Sequence, residues 1–351
     1  MQKMKQSKSN IVILILGMIV AVLVAAVIIL QVTDNGKNPA GGPDRTDSML
    51  LNTPSPELSA SPKEETETPS AATATAPATA APSATLSEAT PSATYTEGNF
   101  GFLEGISRDY FEDAKAEDGG SWYPGAVQRQ SDGTVVYKWD RYASTLRTLE
   151  KYDAIYRKNT DQKVVYLTFD CGYENGYTAR ILDILKEKDV KAIFFVTGDY
   201  LNDKSTKEIV LRMLSEGHLI GNHTDRHPNM TQVSDEEFVK QLRNVEAKLK
   251  AIAGGEAAMS YYRPPEGAST ERDLCLAKHL GYTSVFWSFA HYDFNPDQQP
   301  DITEALAKTK SSLHDGAVYL LHAVSSTNTA ILGDLIDYMR AEGYEIRRID
   351  Q

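Results

Sequence analysis

Apolar and polar positions divide the chain into three stretches of different rhythm. Ile11 to Leu30 (IVILILGMIVAVLVAAVIIL) is an unbroken run of 20 uncharged, nearly all apolar residues. From 33 to 98 large apolar side chains almost vanish. Beyond about Asn99, short apolar runs alternate with amphipathic ones. Lys163–Thr168 (KVVYLT) predicts a strand ending at Phe169-Asp170, and Tyr177–Lys188 a helix on the spacing of Ile181, Leu182, Ile184 and Leu185. Strands at Ala192–Thr197, His218–Gly221, near Tyr261, Ser284–Ser288, Ala317–Leu321 and Glu345–Ile349 follow. Between them the pattern predicts helices at Ser205–Glu216, Ser234–Ile252, Thr270–Leu280, Ile302–Leu313 and Thr329–Glu342. The helix at Ser234 opens on the capping pattern Ser234-x-x-Glu237. Strands alternating with helices of about 10–15 residues mean βα units on a parallel sheet. So many units predict an α/β fold, a distorted (β/α) barrel of about seven parallel strands, with its site at the C-terminal ends of the strands.

The first two stretches read as a tether. As a helix rising ~1.5 Å per residue, the apolar run spans ~30 Å, the hydrocarbon thickness of a bilayer. Lys3, Lys5 and Lys8 precede it with no matching cluster beyond, which predicts a cytoplasmic N-terminus (1–10) and an extracytoplasmic remainder. The alternative is a cleaved signal peptide, but the run is longer than an h-region of about 7–15 residues and no clear small-residue cleavage site follows. The expectation is therefore a single-pass signal anchor at 11–32 in a cell membrane. Between Thr53 and Thr94, 34 of 42 residues are Ala, Thr, Pro or Ser, and nine of the 15 prolines fall between Pro39 and Pro91. Such composition cannot bury enough apolar surface to offset its ordering entropy, so 33–98 is expected to be a disordered linker. Residues 99–160, with Phe100, Phe102, Tyr110, Phe111, Trp122 and Tyr123, read as an extension packed on the barrel, and 161–351 as the domain carrying the chemistry.

Charge and cysteines narrow the partners. The net charge of −12 divides as −3 for residues 1–99 (6 basic, 9 acidic) and −9 for the rest (30 basic, 39 acidic). An acidic folded part without a basic cluster argues against nucleic acid. Two cysteines, Cys171 and Cys275, exclude a disulfide scaffold and a cysteine-only metal cluster.

Five short segments carry candidate chemistry, each just after a strand-like run. His223-Thr-Asp-Arg-His227 places two imidazoles four apart, able to reach one metal if the segment turns helically, though such a pair is more often structural. Thr168-Phe169-Asp170 puts a carboxylate in the glycine-punctuated loop Cys171-Gly172-Tyr173-Glu174-Asn175-Gly176, where the bland reading is a cap or turn. Arg263-Pro264-Pro265-Glu266-Gly267 joins a guanidinium fork to a fixed backbone, or is a rigid surface loop. Trp287–Phe294 brings a second carboxylate, Asp293, and Leu320-Leu321-His322 an imidazole that by itself suits a core.

In this order the five resemble the polysaccharide deacetylase family, the NodB-homology carbohydrate esterases, whose motifs read T-F-D-D, H-[ST]-x-x-H, R-x-P-[FY]-[GS], a strand-end D or S with D-W, and L-x-H. The resemblance runs from about Val164 to the C-terminus. TFDCGYENGYT, GNHTDRHP, RPPEG, VFWSFAHYDF, YLLHAVS and the lead-in LEKYDAIYRKN look like the branch that deacetylates N-acetylmuramic acid of peptidoglycan on the way to muramic δ-lactam. The resemblance implies hydrolysis of an acetamide with one divalent metal, with zinc the expected ion. It implies His223 and His227 as metal ligands, Asp170 as general base and His322 as general acid. Arg263 then orients the base, and Asp293 holds that Arg or tunes its neighbours. Leu320 lines an acetyl-methyl pocket, the Glu266 N–H faces the oxyanion, and Tyr173 and Phe294 face substrate.

Two departures qualify it. The family's second Asp, a metal ligand, is Cys171 here; either its thiolate ligates, favouring zinc, or it does not and water fills the position. Phe294 stands where the family often has Trp, keeping an aromatic wall. His218, His279 and His314 match no motif and are expected at the surface or in structural roles; His291, near Asp293, has no assigned role. The implied partner is a peptidoglycan glycan strand and the expected state a monomer. Alternatives are a deacetylase of GlcNAc, chitin-type or O-acetylated polysaccharide, and an inactive glycan-binding head. The resemblance to the muramic branch implies a sporulation-related role, with vegetative wall editing the alternative.

Overall fold

The computed structural model describes residues 98–111, 127–129, 135–137, 142–254 and 258–351. The expected anchor at 11–32 and nearly all of the linker at 33–98 lie outside the described residues. A short antiparallel pair, β1 (Val127–Arg129) and β2 (Val135–Tyr137), precedes helix α1 (Ala143–Lys151). A parallel sheet follows, made of β3 (Val164–Cys171), β4 (Ile193–Val196), β5 (Leu219–Asn222), β6 (Tyr261–Tyr262), β7 (Thr283–Ser284), β8 (Ala317–His322) and β9 (Glu345–Ile346). Its order is β7-β6-β5-β4-β3-β8, with β9 also on β3. The intervening helices are α2 (Thr178–Glu187), α3 (Gly198–Asn202), α4 (Lys207–Ser215), α5 (Asp235–Ala253), α6 (Glu271–His279), α7 (Ile302–Ser311) and α8 (Ser326–Ala341).

The sheet curls until its edges approach each other. Past β7 the chain runs alongside β8, where the N–H of Ser288 donates to the carbonyl of Val318 (2.9 Å) and that of Leu320 to Phe289 (2.9 Å). Buried His314 reinforces this seam by bonding Ser312 O (2.7 Å) and Ser288 Oγ (3.0 Å). The strand expected at Ser284–Ser288 is thus a two-residue strand and an irregular continuation. The reason is a partner distant in sequence: the carbonyls of Val285 and Phe286 turn aside to accept from the Arg263 guanidinium (3.1 and 3.2 Å). Helix α8 begins three residues earlier than predicted because Ser325 caps it, accepting from the N–H of Asn328.

Strand alternation sorts the core into two layers. Val165, Leu167, Phe169 and Cys171 of β3 face the helices, together with Ile181, Leu185 and Tyr200. Val164 and Tyr166 face the interior with Ile193, Phe195, Phe286, Val318 and Leu320. Residues 98–111 lie on α6: Phe102 stacks on His279 at 3.8 Å, and Arg272 Nη1 donates to Leu103 O (2.7 Å). His218 takes the structural of its two expected roles: it is buried, its Nδ1 accepts from the N–H of Ala192 (3.1 Å), and burial pushes its pKa down to about 4.

Candidate active site

The interior-facing register of β3 carries Thr168 and then Asp170 to the rim of the curled sheet. Arg263, directly after β6, reaches across to meet them. Its side chain is fully buried and shared between four acceptors: Asp170 Oδ1 (2.6 Å), Thr168 Oγ1 (2.8 Å) and the carbonyls of Val285 and Phe286. The guanidinium also lies 4.2 Å from the Phe195 ring centre. Burial by itself would raise the Asp170 pKa, but Arg263 first, and then His223 and His322, bring it below its ordinary value. Asp170 is therefore an ionised carboxylate in a dry setting.

His223, directly after β5, stands next to it. Its Nδ1 donates to Arg263 O (2.9 Å), which leaves Nε2 as the lone-pair nitrogen, 3.3 Å from Asp170 Oδ2. Burial pushes His223 down to about 4, so the ring is neutral at pH 7. Two buried acceptors this close, a lone pair and a carboxylate, favour a cation beside them. The His227 ring follows at 4.8 Å, centre to centre. A pair of imidazoles, one fixed in its tautomer by a backbone carbonyl, fits a divalent ion of the zinc class. Among the described residues no three His, Cys, Asp or Glu side chains form a ready-made cluster.

The opposite wall is built from β8 and the segment after β7. His322 Nδ1 donates to Asp293 Oδ1 (2.7 Å), and the His322 backbone N–H to Asp293 Oδ2 (2.9 Å). Asp293 is fully buried, and Asn328 from α8 donates to it as well. Burial pulls the His322 pKa down, yet Asp293 outweighs it and holds the imidazole above its ordinary value. Of the two roles expected for Asp293, holding Arg263 or tuning its neighbours, the geometry excludes the first and fits the second: the carboxylate bonds His322, and Arg263 bonds Asp170. Asn328 carries no motif of its own, being an Asn in the first turn of a helix, and Thr168 stands in the T-F-D segment without any local sign that it bonds Arg263.

A cavity of about 780 Å³ opens between the two walls, lined among others by Asp170, His223, His227, Glu266, Leu320 and His322. Tyr173, Tyr292 and Phe294 stand at its lining about half exposed. Phe294 packs edge-on to His322 at 5.8 Å. Glu266 sits in the left-handed region (φ 59°), in a turn where Gly267 and Ala268 donate to the carbonyls of Pro264 and Pro265. Cys171 is placed elsewhere. The alternation that turns Asp170 inward turns Cys171 outward, fully buried among the helix-facing side chains, and burial raises its thiol well above the ordinary range. It is a protonated core thiol off the cavity wall, so the thiolate-ligand reading is not met by this geometry. Both cysteines are free.

A family profile described as Polysaccharide deacetylase matches residues 157–285, a span that ends before Asp293 and His322. The Peptidoglycan-N-acetylmuramic acid deacetylase PdaA of Bacillus subtilis is 42% identical over 202 residues, covering 58% of this chain and 76% of that protein. A Peptidoglycan-N-acetylglucosamine deacetylase of Bacillus cereus is 33% identical over 218 residues, covering 62% and 69%. The solved structure of Bacillus subtilis PdaA, a family 4 carbohydrate esterase, superposes with a TM-score of 0.56 at 40% identity, covering 59% of this chain and 87% of that one. With the resemblance of the five segments, these likenesses establish that the chain belongs to the polysaccharide deacetylases of carbohydrate esterase family 4, hydrolases acting on amide bonds.

Proposed function

We propose that the chain removes the N-acetyl group of N-acetylmuramic acid in peptidoglycan glycan strands, releasing acetate, on the route to muramic δ-lactam. The observation that carries this reading is the pairing of opposite tools across one cavity. Asp170 is kept ionised by Arg263, His322 is kept protonated by Asp293, and the His223–His227 pair stands beside Asp170.

A divalent ion held by His223 and His227 would acidify water and polarise the acetyl carbonyl. Asp170 Oδ2 receives the proton of the attacking water; the Arg263 bond on Oδ1 aims it and keeps it unprotonated beforehand. His322 Nε2 gives a proton to the departing sugar amine, and Asp293 on Nδ1 steadies the cation until then. Leu320 offers an apolar wall for the acetyl methyl, and the Glu266 N–H a donor to the carbonyl oxygen as charge gathers there. Tyr173, Tyr292 and Phe294 provide faces for sugar rings.

The muramic reading rests on the PdaA likeness. A second reading, N-acetylglucosamine as the substrate sugar, draws on the Bacillus cereus relative. We also propose that residues 11–32 tether the domain to the membrane and that 33–98 extend it toward the wall, which rests on the sequence pattern alone. Acetate release from peptide-stripped wall glycan against chitin oligomers separates the two sugars. Asp170→Asn abolishes release in either case; undiminished release would overturn the role of Asp170.

A further inference from the structure

The turn bearing the two histidines is held in an unfavourable conformation. Thr224 (φ 66°) and His227 (φ 53°) both occupy the left-handed region, which non-glycine residues adopt only where their surroundings impose it. Part of the restraint is local: the N–H of Thr224 donates to Asn222 Oδ1 (3.0 Å) and that of His227 to Thr224 Oγ1 (3.0 Å). The rest comes from α5, a helix whose apolar face (Phe238, Leu242, Val245, Leu249) packs in the core.

Beside that face runs a short polar stripe at helical spacing, Gln241, Asn244 and Lys248. All three grip the turn. Gln241 Oε1 accepts from the N–H of Arg226 (2.9 Å), Asn244 Nδ2 donates to Asp225 Oδ2 (2.9 Å), and Lys248 Nζ donates to Asp225 Oδ1. Asp225, between the histidines in sequence, points away from the cavity into this stripe. Its neighbour α3 is shaped to admit the pair: a Cβ on Gly198 would come within 1.8 Å of Asp225 Oδ1 and 2.8 Å of Lys248 Nζ. The backbone N–H groups of Gly198 and Asp199 also donate to the carbonyls of Thr224 and Asp225 (3.0 and 3.1 Å).

We infer that Asp225 and the Gln241–Asn244–Lys248 stripe of α5 are positioning residues that hold His223 and His227 convergent and thereby set the affinity of the site for a divalent metal. The inference rests on the reading of the two histidines as metal ligands. Nothing in the stripe touches the cavity, so its effect passes through the turn. A charge-assisted bond in a part-buried setting is strong enough to fix a loop conformation, and loss of partners one layer beyond the ligands characteristically weakens metal binding 10- to 100-fold.

The test is zinc titration of the full chain by competition with a chromophoric chelator, with folding followed separately by near-UV circular dichroism of the metal-free protein. Lys248→Met and Asp225→Asn are expected to weaken zinc binding 10- to 100-fold while the metal-free spectra stay native. Asn244→Ala, which removes a single bond, is expected to weaken it several-fold and covers the case in which the first two fail to fold. Lys250→Met, an exposed change on the same helix, is expected to leave affinity unchanged. Affinity within twofold of the parent in folded Asn244→Ala and Lys248→Met, or an equal loss in Lys250→Met, overturns the inference. Absence of zinc binding by the parent chain contradicts the ligand assignment itself, whereas parent binding with unmoved variants contradicts only the positioning role.

Discussion

Arg263→Met replaces the buried guanidinium with an apolar side chain of similar length. It leaves Asp170 buried without its cation and deprives Thr168 Oγ1 and the carbonyls of Val285 and Phe286 of a donor. Breaking a fully buried pair on one side costs about 3–5 kcal/mol. The consequence for the base is separate. Burial already presses the Asp170 pKa upward, and Arg263 is the strongest influence opposing it. Without Arg263 the carboxyl rises above its unfolded value of about 3.9. In the parent, Asp170 titrates below that value, so its ionised form contributes stability above the unfolded pKa, lost as pH falls through the folded one. In the variant the sign reverses: ionised Asp170 destabilises the fold at neutral pH, and protonation relieves it as pH falls through the raised folded pKa. The stability deficit, measured by urea unfolding, should therefore be greatest at pH 7 and shrink toward pH 4.5. Loss of the ready base should cost roughly 10²–10⁴ in kcat/KM for acetate release. Arg263→Lys, which keeps the charge but not the fork, should fall between. A deficit equal at the two pH values, or a kcat/KM within tenfold of the parent, would refute the reasoning.

Asp293→Asn removes the counter-ion that holds His322 up. Burial then dominates and the imidazole falls below about 6.5, so the alkaline limb of kcat/KM should move to lower pH; an unmoved limb argues against His322 as the acid. Cys171→Ala should leave zinc content unchanged by elemental analysis and cost about 1–2 kcal/mol of stability, while the native thiol should alkylate slowly at pH 8; loss of metal would return Cys171 to the ligand set. Phe294→Ala should raise KM for glycan two- to tenfold, the equivalent of about 0.5–1.5 kcal/mol for a lost aromatic contact, with kcat little changed; an unaltered KM removes Phe294 from the sugar-binding wall.

Sequence rhythm revealed most of this architecture, because βα alternation leaves a strong mark: β3, β4, β5 and β8 form within a few residues of where their apolar runs predict them. Two expected strands come out short: the one at Glu345–Ile349 stops at Ile346, and the stretch after Ser284 is illegible because its hydrogen bonding is set by Arg263, a residue about 20 positions earlier whose burial no local pattern announces. The same limit explains Asp293. Its place after an apolar run marked it as chemical, but which cation it serves depends on how far the sheet curls. Cys171 was ambiguous for a different reason. Motif alignment put it beside the metal, whereas the period of a strand puts it on the face opposite Asp170, and here the period prevails. The grip of α5 on the histidine turn was written as Gln241, Asn244 and Lys248, yet a polar stripe beside an apolar face ordinarily reads as a solvated edge.

The central claim meets its most direct test in mass spectrometry of glycan fragments after peptide-stripped peptidoglycan has been treated with the purified chain. Muramic residues are expected to lose one acetyl mass and glucosamine residues to keep theirs, and neither is expected to change with Asp170→Asn. Deacetylated glucosamine beside intact muramic acid would contradict the substrate, and acetate released equally by the Asp170→Asn protein would contradict the mechanism.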